Sequence, residues 1–300
     1  METILKTNSL TKVYGTRKVV DGVSMTINKG DIYGFIGKNG AGKTTFMRMI
    51  LSLTSITNGE VELFDGKNIL EVGNKIGSLI EAPGLYKNAT AYENLKRFSI
   101  LYGADESKIN EILKFVNLDN TGKKKAKDFS LGMRQRLGIA IALLGEPEFL
   151  VLDEPINGLD PAGIKEIRDV ILKLNKELGI TFLISSHLLD ELAKVVTKYG
   201  IINNGVLIEE VSAKELINNC KSKLIIKTDD NKTAKELIKS EFDINKINVF
   251  DDKLVLYSDL EKSASINKFL IKNGLSVSEI YTDIDSLEEY FIRKIGDTNA

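Results

Sequence analysis

The 300-residue sequence has almost no cysteine, almost no net charge and no long hydrophobic run. Its one cysteine, Cys220, cannot form a disulfide within the chain, which fits a reducing compartment. The formal net charge of -1 argues against a general nucleic-acid binder, because such a protein needs a basic face that neutralises phosphates. We therefore expect no nucleic-acid partner.

The sequence also lacks a segment that predicts a membrane span. Residues Met1–Lys12 contain no apolar core of a signal peptide. The longest nearly apolar stretch, Leu137–Gly145, is less than half of the ~20 residues needed to cross a bilayer. We expect a soluble or peripheral protein that reaches a membrane only through a partner.

What the sequence does contain is the pattern of an α/β protein with an appended domain. The apolar runs Phe149–Leu152 and Ile180–Ser185 are typical of parallel strands that are covered on both faces, and Ile164–Leu178 predicts the helix between them. After about Leu216 the pattern changes to short strands and helices without a glycine-rich loop. We predict one large domain over 1–216, with a helical subdomain at about 82–145, and a small α+β accessory domain over 217–300.

A glycine-rich loop follows the short apolar run Asp31–Ile36 and precedes a helix predicted from Thr44. Glycines in such a loop let successive backbone N–H groups face phosphate oxygens, and the helix N-terminus adds to this anion site. Lys43 adds a positive charge and is also a candidate catalytic residue, and the Thr44 hydroxyl is a candidate Mg²⁺ ligand. The predicted nucleotide-binding residues of this phosphate loop are Gly37, Lys38, Asn39, Gly40, Ala41, Gly42, Lys43, Thr44 and Thr45.

Three residues at the ends of predicted strands are candidates for catalysis and metal binding. Asp153 lies at the carboxyl end of a buried strand, where open α/β sheets bind ligands, and is placed to hold Mg²⁺ through water. Glu154 follows it, and strand alternation points its side chain the other way, toward a water that it would polarise. His187, the only histidine, ends the neighbouring strand and is a candidate γ-phosphate contact.

A second phosphate site is predicted at Ser130, which opens a helix together with Gly132. A serine hydroxyl and a glycine N–H at a helix N-terminus suit a phosphate. One chain needs only one such site for a γ-phosphate, so the second site is expected to serve a neighbouring copy. An N-cap serine without a ligand is the structural alternative.

These motifs, taken in order from about Ile4 to Ser212, resemble the ATP-binding subunit of an ABC transporter. The resemblance implies a P-loop fold with a mixed sheet, Mg²⁺ and ATP as cofactors, and a homodimer that closes over ATP at the cytoplasmic face of a membrane. It implies that Tyr14 stacks on adenine, that Ser130 and Gly132 act across the dimer interface, and that a loop ending at Asp160 links the two sites. Polytopic membrane subunits are the implied partners.

One position departs from that family. The predicted strand Ile76–Ile80 is followed by Glu81, where the family usually has a glutamine that touches Mg²⁺ and senses the membrane partner. A carboxylate is a charged ligand and could bind Mg²⁺ directly. It also adds negative charge near phosphates, which is unfavourable without a metal or a cationic side chain.

The motifs around Glu81–Tyr86, Asn88–Asn94 and Phe129–Leu137 are similar to the bacitracin-resistance and lantibiotic self-immunity branch. This predicts export of a peptide antibiotic, with another hydrophobic compound as the rival substrate. A second class of function is a non-transport ATP switch on ribosomes or DNA, which the single cassette and low net charge disfavour. A third possibility makes the C-terminal domain a sensor that slows the ATPase.

Overall fold

The computed structural model describes residues 2–219, 222–244, 246–284 and 287–297. The chain divides into two compact units, one over Met1–Lys214 and one over Glu215–Lys294. Cys220 lies outside the described residues, so the expectation that rests on it stays a prediction from sequence.

Up to residue 219 the described chain forms nine strands and eight α-helices, the last of which crosses the boundary at Lys214 between the units. The strands are β1 (Thr3–Tyr14), β2 (Arg17–Asn28), β3 (Ile32–Ile36), β4 (Asn58–Leu63), β5 (Ile76–Leu79), β6 (Phe149–Asp153), β7 (Thr181–Ser186), β8 (Lys198–Asn203) and β9 (Val206–Ser212). The helices are α1 (Lys43–Ile50), α2 (Ile69–Val72), α3 (Ala91–Tyr102), α4 (Ile109–Phe115), α5 (Leu131–Ala142), α6 (Pro161–Leu178), α7 (Leu189–Leu192) and α8 (Ala213–Asn219).

The central sheet has the strand order β5-β6-β7-β3-β8-β9. All neighbours are parallel except β8 and β9, so the sheet is mixed. Every residue of β3, β6 and β7 is buried, as expected for parallel strands with both faces covered. Because parallel strands end at one edge, the residues after β3, β6 and β7 come together there.

Strands β2, β1 and β4 form a separate antiparallel sheet, in that order. The two sheets and α1 share one hydrophobic core, in which Leu5, Val23, Phe35, Phe46 and Phe149 are all fully buried. The rings of Phe35 and Phe46 lie 4.9 Å apart, which ties α1 to β3. This packing fixes the direction in which α1 leaves the phosphate loop.

Between β5 and β6 the chain forms a helical segment of α3, α4 and α5. Helix α3 begins at Thr90, whose hydroxyl accepts from the Glu93 N–H while the Glu93 carboxylate accepts from the Thr90 N–H. Helix α5 approaches β5 closely, since a Cβ at Gly77 would lie 2.3 Å from the Ala142 carbonyl oxygen. Glycine is required there because any side chain would collide with backbone.

The second unit is an α+β structure with its own core. Its strands are β10 (Ser222–Thr228), β11 (Ile247–Val249), β12 (Leu254–Leu256) and β13 (Val277–Ile284), and its helices are α9 (Asn231–Phe242), α10 (Ser263–Lys272) and α11 (Leu287–Asp297). The sheet order is β11-β12-β10-β13, with antiparallel pairs throughout. Leu224, Leu254, Leu256, Ile266 and Leu270 are fully buried in this core.

The predicted fold class is confirmed: an α/β P-loop unit with a mixed sheet and a helical segment, followed by an α+β unit. Among the residues that the structure describes, no helix combines the length and the apolar character needed to cross a membrane.

Candidate functional site

The phosphate loop connects β3 to α1 and leaves the start of this helix uncapped by any described side chain. Gly42 is the residue before the helix and has φ of 107°, a conformation that favours glycine. A Cβ at Gly42 would lie 2.5 Å from the Val19 carbonyl oxygen, and one at Gly37 would lie 2.5 Å from the Ile202 carbonyl oxygen. Both glycines are therefore required by shape, and the free N–H groups of α1 remain available to an anion.

The loop lines a cavity of about 320 Å³ beside the helix N-terminus. The lining residues are Val19, Asn39, Gly40, Gly42, Lys43, Thr44, Thr45 and Glu154. Six of these were predicted in the phosphate loop and Glu154 was predicted as catalytic, whereas Val19 was not predicted. It comes from β2, and nothing in its sequence neighbourhood signals this contact. Larger cavities exist elsewhere, but they do not contain this arrangement of glycines and charges.

Lys43, the first residue of α1, turns its side chain back over the loop. Its ammonium is almost fully buried and donates to the carbonyl oxygens of Gly37 at 2.6 Å and Lys38 at 3.3 Å. It also lies 3.1 Å from the Glu154 carboxylate. A buried cation that is held only by carbonyls and one carboxylate is well placed to exchange these partners for phosphate oxygens.

Asp153 is the last residue of β6 and is held from two sides. The Thr44 hydroxyl donates to its Oδ2 at 2.7 Å and the Ser185 hydroxyl donates to its Oδ1 at 2.5 Å. Residues 153 and 185 are register partners in neighbouring parallel strands, which explains why their side chains meet. Sequence reasoning did not single out Ser185, although a hydroxyl at the end of an apolar strand beside His187 was a usable signal.

Glu154 lies just after β6 with φ of +50°, a left-handed conformation that is uncommon for a residue with a side chain. Its N–H donates to the Ser185 hydroxyl at 2.8 Å, which holds the backbone in this conformation. The prediction that strand alternation would orient the Glu154 side chain was therefore wrong. The strand ends at Asp153, and a backbone turn at Glu154 directs the side chain. Such local strain is typical of functional sites.

His187 completes the charged group. Its Nδ1 lies 2.8 Å from Oε2 of Glu154, while the other carboxylate oxygen faces Lys43. A carboxylate only accepts hydrogen bonds, so this contact places a proton on Nδ1. Glu154 is thus clamped between Lys43 and His187 at the edge of the phosphate cavity.

The residues that were predicted to hold a metal divide into two groups. Thr44 and Asp153 bring two oxygen ligands together, the type of donor that Mg²⁺ prefers. In the described parts of the chain no cluster of three or more His, Cys, Asp or Glu side chains forms a metal site by itself. This fits a Mg²⁺ ion that takes one or two protein ligands and completes its shell with phosphates and water.

Glu81, the third predicted metal ligand, has a different partner. Its carboxylate is bonded to the guanidinium of Arg48 on α1, and its backbone φ is +65°. The side chain is 65% exposed. Binding of Mg²⁺ by Glu81 stays a prediction, and Arg48 was not foreseen from the sequence.

Tyr14, predicted to stack on adenine, is the last residue of β1 and is half exposed. Its hydroxyl lies 3.3 Å from that of Thr54. The Lys12 ammonium lies 4.8 Å from the ring centroid, a cation–π contact that covers one face of the ring. Stacking of a base would use the opposite face and stays a prediction.

The remaining predicted residues form a second group at the starts of α5 and α6. The Ser130 hydroxyl accepts from the N–H of Met133 at 3.2 Å, so it caps α5. Asp160 accepts from the Gly163 N–H at 3.0 Å and caps α6. A Cβ at Gly132 would lie 3.7 Å from the Gly163 Cα, so the two helix starts are neighbours. The structural role of Ser130 is therefore present, and a phosphate contact across a dimer stays a prediction.

The chain is similar in sequence to proteins of a known family. Residues 20–157 match the family model described as "ABC transporter". The bacitracin transport ATP-binding protein BcrA of Bacillus licheniformis is 46% identical over 99% of this chain and 98% of its own length. The lantibiotic transport ATP-binding protein SrtF of Streptococcus pyogenes is 45% identical over 72% of this chain and 96% of its own length.

Solved structures agree with this similarity. A crystal structure of the ADP conformation of an ATP-binding cassette from an ABC transporter has a TM-score of 0.65 and 30% identity. The match covers 73% of this chain and 96% of that cassette. The expected resemblance is therefore confirmed, and the alternative of a non-transport switch on ribosomes or DNA is not favoured.

Proposed function

Because the chain belongs to the family of ABC transporter ATP-binding proteins, we propose that it hydrolyses ATP to drive export of a peptide antibiotic through a separate membrane subunit. The observation that carries the ATPase part is the Glu154 carboxylate, held between Lys43 and His187 beside the phosphate cavity. The substrate class is inferred from the names of relatives that match the chain over nearly its full length.

In this proposal the phosphate loop binds the triphosphate through the N–H groups at the start of α1 and through Lys43. The arriving phosphates compete with Glu154 for the Lys43 ammonium. Transfer of Lys43 to phosphate oxygens frees the carboxylate from its buried counter-ion. The resting contact thus links nucleotide binding to the availability of the catalytic group.

Thr44 and Asp153 are the residues that would hold Mg²⁺, which neutralises charge on the phosphates when bound. Ser185 keeps the Asp153 carboxylate in a fixed orientation through its hydroxyl. The same hydroxyl accepts from the Glu154 N–H, so one side chain positions both carboxylates. This arrangement gives the two acids separate roles: Asp153 binds metal and Glu154 acts on water.

Glu154 is the proposed general base, which orients the attacking water and takes its proton. His187 fixes one carboxylate oxygen by donating from Nδ1, so the other oxygen is available to the water once Lys43 has moved. We propose that Nε2 of His187 carries a proton when ATP is bound, because only an N–H on this nitrogen can donate to a γ-phosphate oxygen.

The site is proposed to be completed by a second copy of the chain. In each copy, Ser130 and Gly132 lie at the start of α5, a helix of 12 residues whose N–H groups suit an anion. The phosphate loop of the same chain already has its own helix start. We therefore expect two copies to face each other, each supplying Ser130 and Gly132 to the ATP bound by its partner, with Asp160 near the interface.

We place the protein at the cytoplasmic face of the cell membrane, bound to one or two polytopic permease subunits. The surface around Pro83, Leu85 and Tyr86 is the proposed docking region, because Tyr86 is an exposed aromatic residue and Pro83 and Leu85 are half-buried. The Asn94 side chain fixes this loop by accepting from the Tyr86 N–H at 2.8 Å and donating to the Thr90 carbonyl at 2.8 Å.

The test is to replace the chromosomal copy with Glu154→Gln and measure survival against bacitracin and a lantibiotic, with Glu111→Gln as a control on an exposed face of α4. Sensitivity to one of these peptides in the first strain alone supports the proposal. Unchanged resistance to both peptides contradicts peptide export. Affinity purification of the wild-type chain should recover a polytopic membrane protein; recovery of RNA or DNA instead would contradict a transport role.

A further inference from the structure

Arg48, in the last turn of α1, and Glu81, in the segment after β5, form an ion pair that the proposed mechanism does not use. We propose that Arg48 is a positioning residue for Glu81: it holds the carboxylate on the metal-binding side of α1 and offsets its negative charge next to the triphosphate. The inference rests on the proposed ATP binding.

The geometry of α1 supports this placement. Thr44 and Arg48 are four residues apart in one helix, so they share a face and are separated by about 6 Å along the axis. The Thr44 hydroxyl marks the proposed Mg²⁺ position, because it contacts Asp153. The residue that holds the Glu81 carboxylate therefore lies on the face of α1 that carries Thr44, one helical turn further along.

The strand that leads to Glu81 supports the same placement. Strand β5 runs parallel to β6, and Leu79 is the register partner of Leu152. The residues after both strands therefore emerge at one sheet edge, where Asp153 ends β6 and Glu81 lies two residues beyond the end of β5. Glu81 has φ of +65°, a local conformation that is held against the preference of a side-chain-bearing residue.

The segment after Glu81 reaches the helix that begins at Ser130. A Cβ at Gly138 of α5 would lie 2.9 Å from the Pro83 Cβ, so Pro83 packs closely against this helix. Glu81 thus lies two residues from a contact with α5 while its side chain is bonded to α1. The ion pair therefore ties α1 to the segment of Glu81 and Pro83. This segment in turn packs against α5, the helix of the proposed second phosphate site.

Charge explains why an arginine is suited to this position. A carboxylate near a triphosphate raises the free energy of nucleotide binding unless a cation offsets it. Arginine stays protonated at any physiological pH and bonds carboxylates through a planar fork. Both side chains are substantially exposed, 41% for Arg48 and 65% for Glu81, so the pair adds little to folding stability. Its effect is expected in nucleotide binding.

The experiment is a double-mutant cycle on ATP binding without metal. The full chain and the variants Arg48→Gln, Glu81→Gln and Arg48→Gln/Glu81→Gln are titrated with a fluorescent ATP analogue in EDTA and again in Mg²⁺. We expect Arg48→Gln to weaken metal-free binding by about threefold to fivefold, since the carboxylate loses its counter-ion. Glu81→Gln should not weaken it, and the double variant should bind within about twofold of Glu81→Gln.

A matched control is Lys108→Gln, which breaks an ion pair with Glu146 of similar exposure, 42% and 68%, in the helical segment. It should leave metal-free binding unchanged. A double variant that binds ATP as weakly as Arg48→Gln would overturn the role of Arg48. Binding by Arg48→Gln as tight as by the wild-type chain would overturn it as well. Absence of ATP binding by the wild-type chain would overturn the proposed function and this inference with it.

Discussion

The two units of the chain use buried charge in different ways. In the second unit, the buried Lys223 on β10 pairs with Glu289 on α11, and the pair belongs to regular elements. In the first unit, the buried Lys43 faces Glu154, which departs from the regular backbone and carries a second contact to His187. A buried lysine in an ion pair is therefore not by itself a sign of a catalytic site. The proposed catalytic site of the first unit has two further features, a left-handed backbone at its carboxylate and a neighbouring phosphate loop.

The largest effect is expected on ATP turnover, when the proposed catalytic base in the first unit is replaced. Glu154→Gln keeps the size of the side chain but removes the proposed base, so the ATPase rate should fall by about 10²–10⁴-fold while ATP binding is kept. Steady-state phosphate release and nucleotide titration measure the two quantities. Size-exclusion chromatography in Mg·ATP should show this variant as a stable dimer. A fully active, monomeric Glu154→Gln variant would contradict the role of Glu154 as the catalytic base.

A substitution in the core of the second unit should lower stability without changing ATP turnover. Leu256→Ala removes a fully buried side chain from that core and should lower the free energy of unfolding of the unit by about 2–5 kcal/mol. Chemical denaturation followed by a probe in the second unit measures this loss. ATP turnover should stay at the wild-type rate, because every proposed catalytic residue lies in the first unit. A rise in turnover would instead favour a sensor that slows the ATPase.

A smaller effect is expected for Ser185→Ala. The hydroxyl contacts both Asp153 and the Glu154 N–H, so its loss leaves two buried partners without a hydrogen bond and should destabilise the first unit by about 1–3 kcal/mol. Thermal unfolding without nucleotide measures this. Ser186→Ala is the neighbouring control, because its hydroxyl accepts from the Leu188 N–H instead. Equal losses of thermal stability in both variants would contradict a special positioning role of Ser185.

The sequence was sufficient for those parts of the site that follow from local pattern. The glycine spacing, Lys43 and Thr44 predicted the phosphate loop, and the apolar strand before Asp153 predicted its place at the sheet edge. The single histidine was correctly placed at the same edge. These inferences work because a parallel sheet brings the ends of its strands together, wherever they lie in the chain.

Contacts that depend on register and on individual torsion angles were not predictable. Ser185 reaches Asp153 through strand pairing, and Arg48 reaches Glu81 across residues that are distant in sequence. The left-handed backbone at Glu154 was missed because the strand pattern before it predicts simple alternation. Val19 lines the cavity from a strand whose sequence carries no signal for phosphate binding. In each case the tertiary structure decided what the local sequence left open.

In the proposed dimer, each ATP lies between the phosphate loop of one chain and Ser130 of another. Two variants test it directly: Lys43→Ala, which damages only the first half-site, and Ser130→Arg, which damages only the second. Each alone should be inactive. An equal mixture should regain about a quarter of the wild-type ATPase rate, since half of the randomly formed two-fold dimers contain one intact site. A mixture that stays inactive while the variants exchange subunits, or a Ser130→Arg variant that is active alone, would contradict the claim.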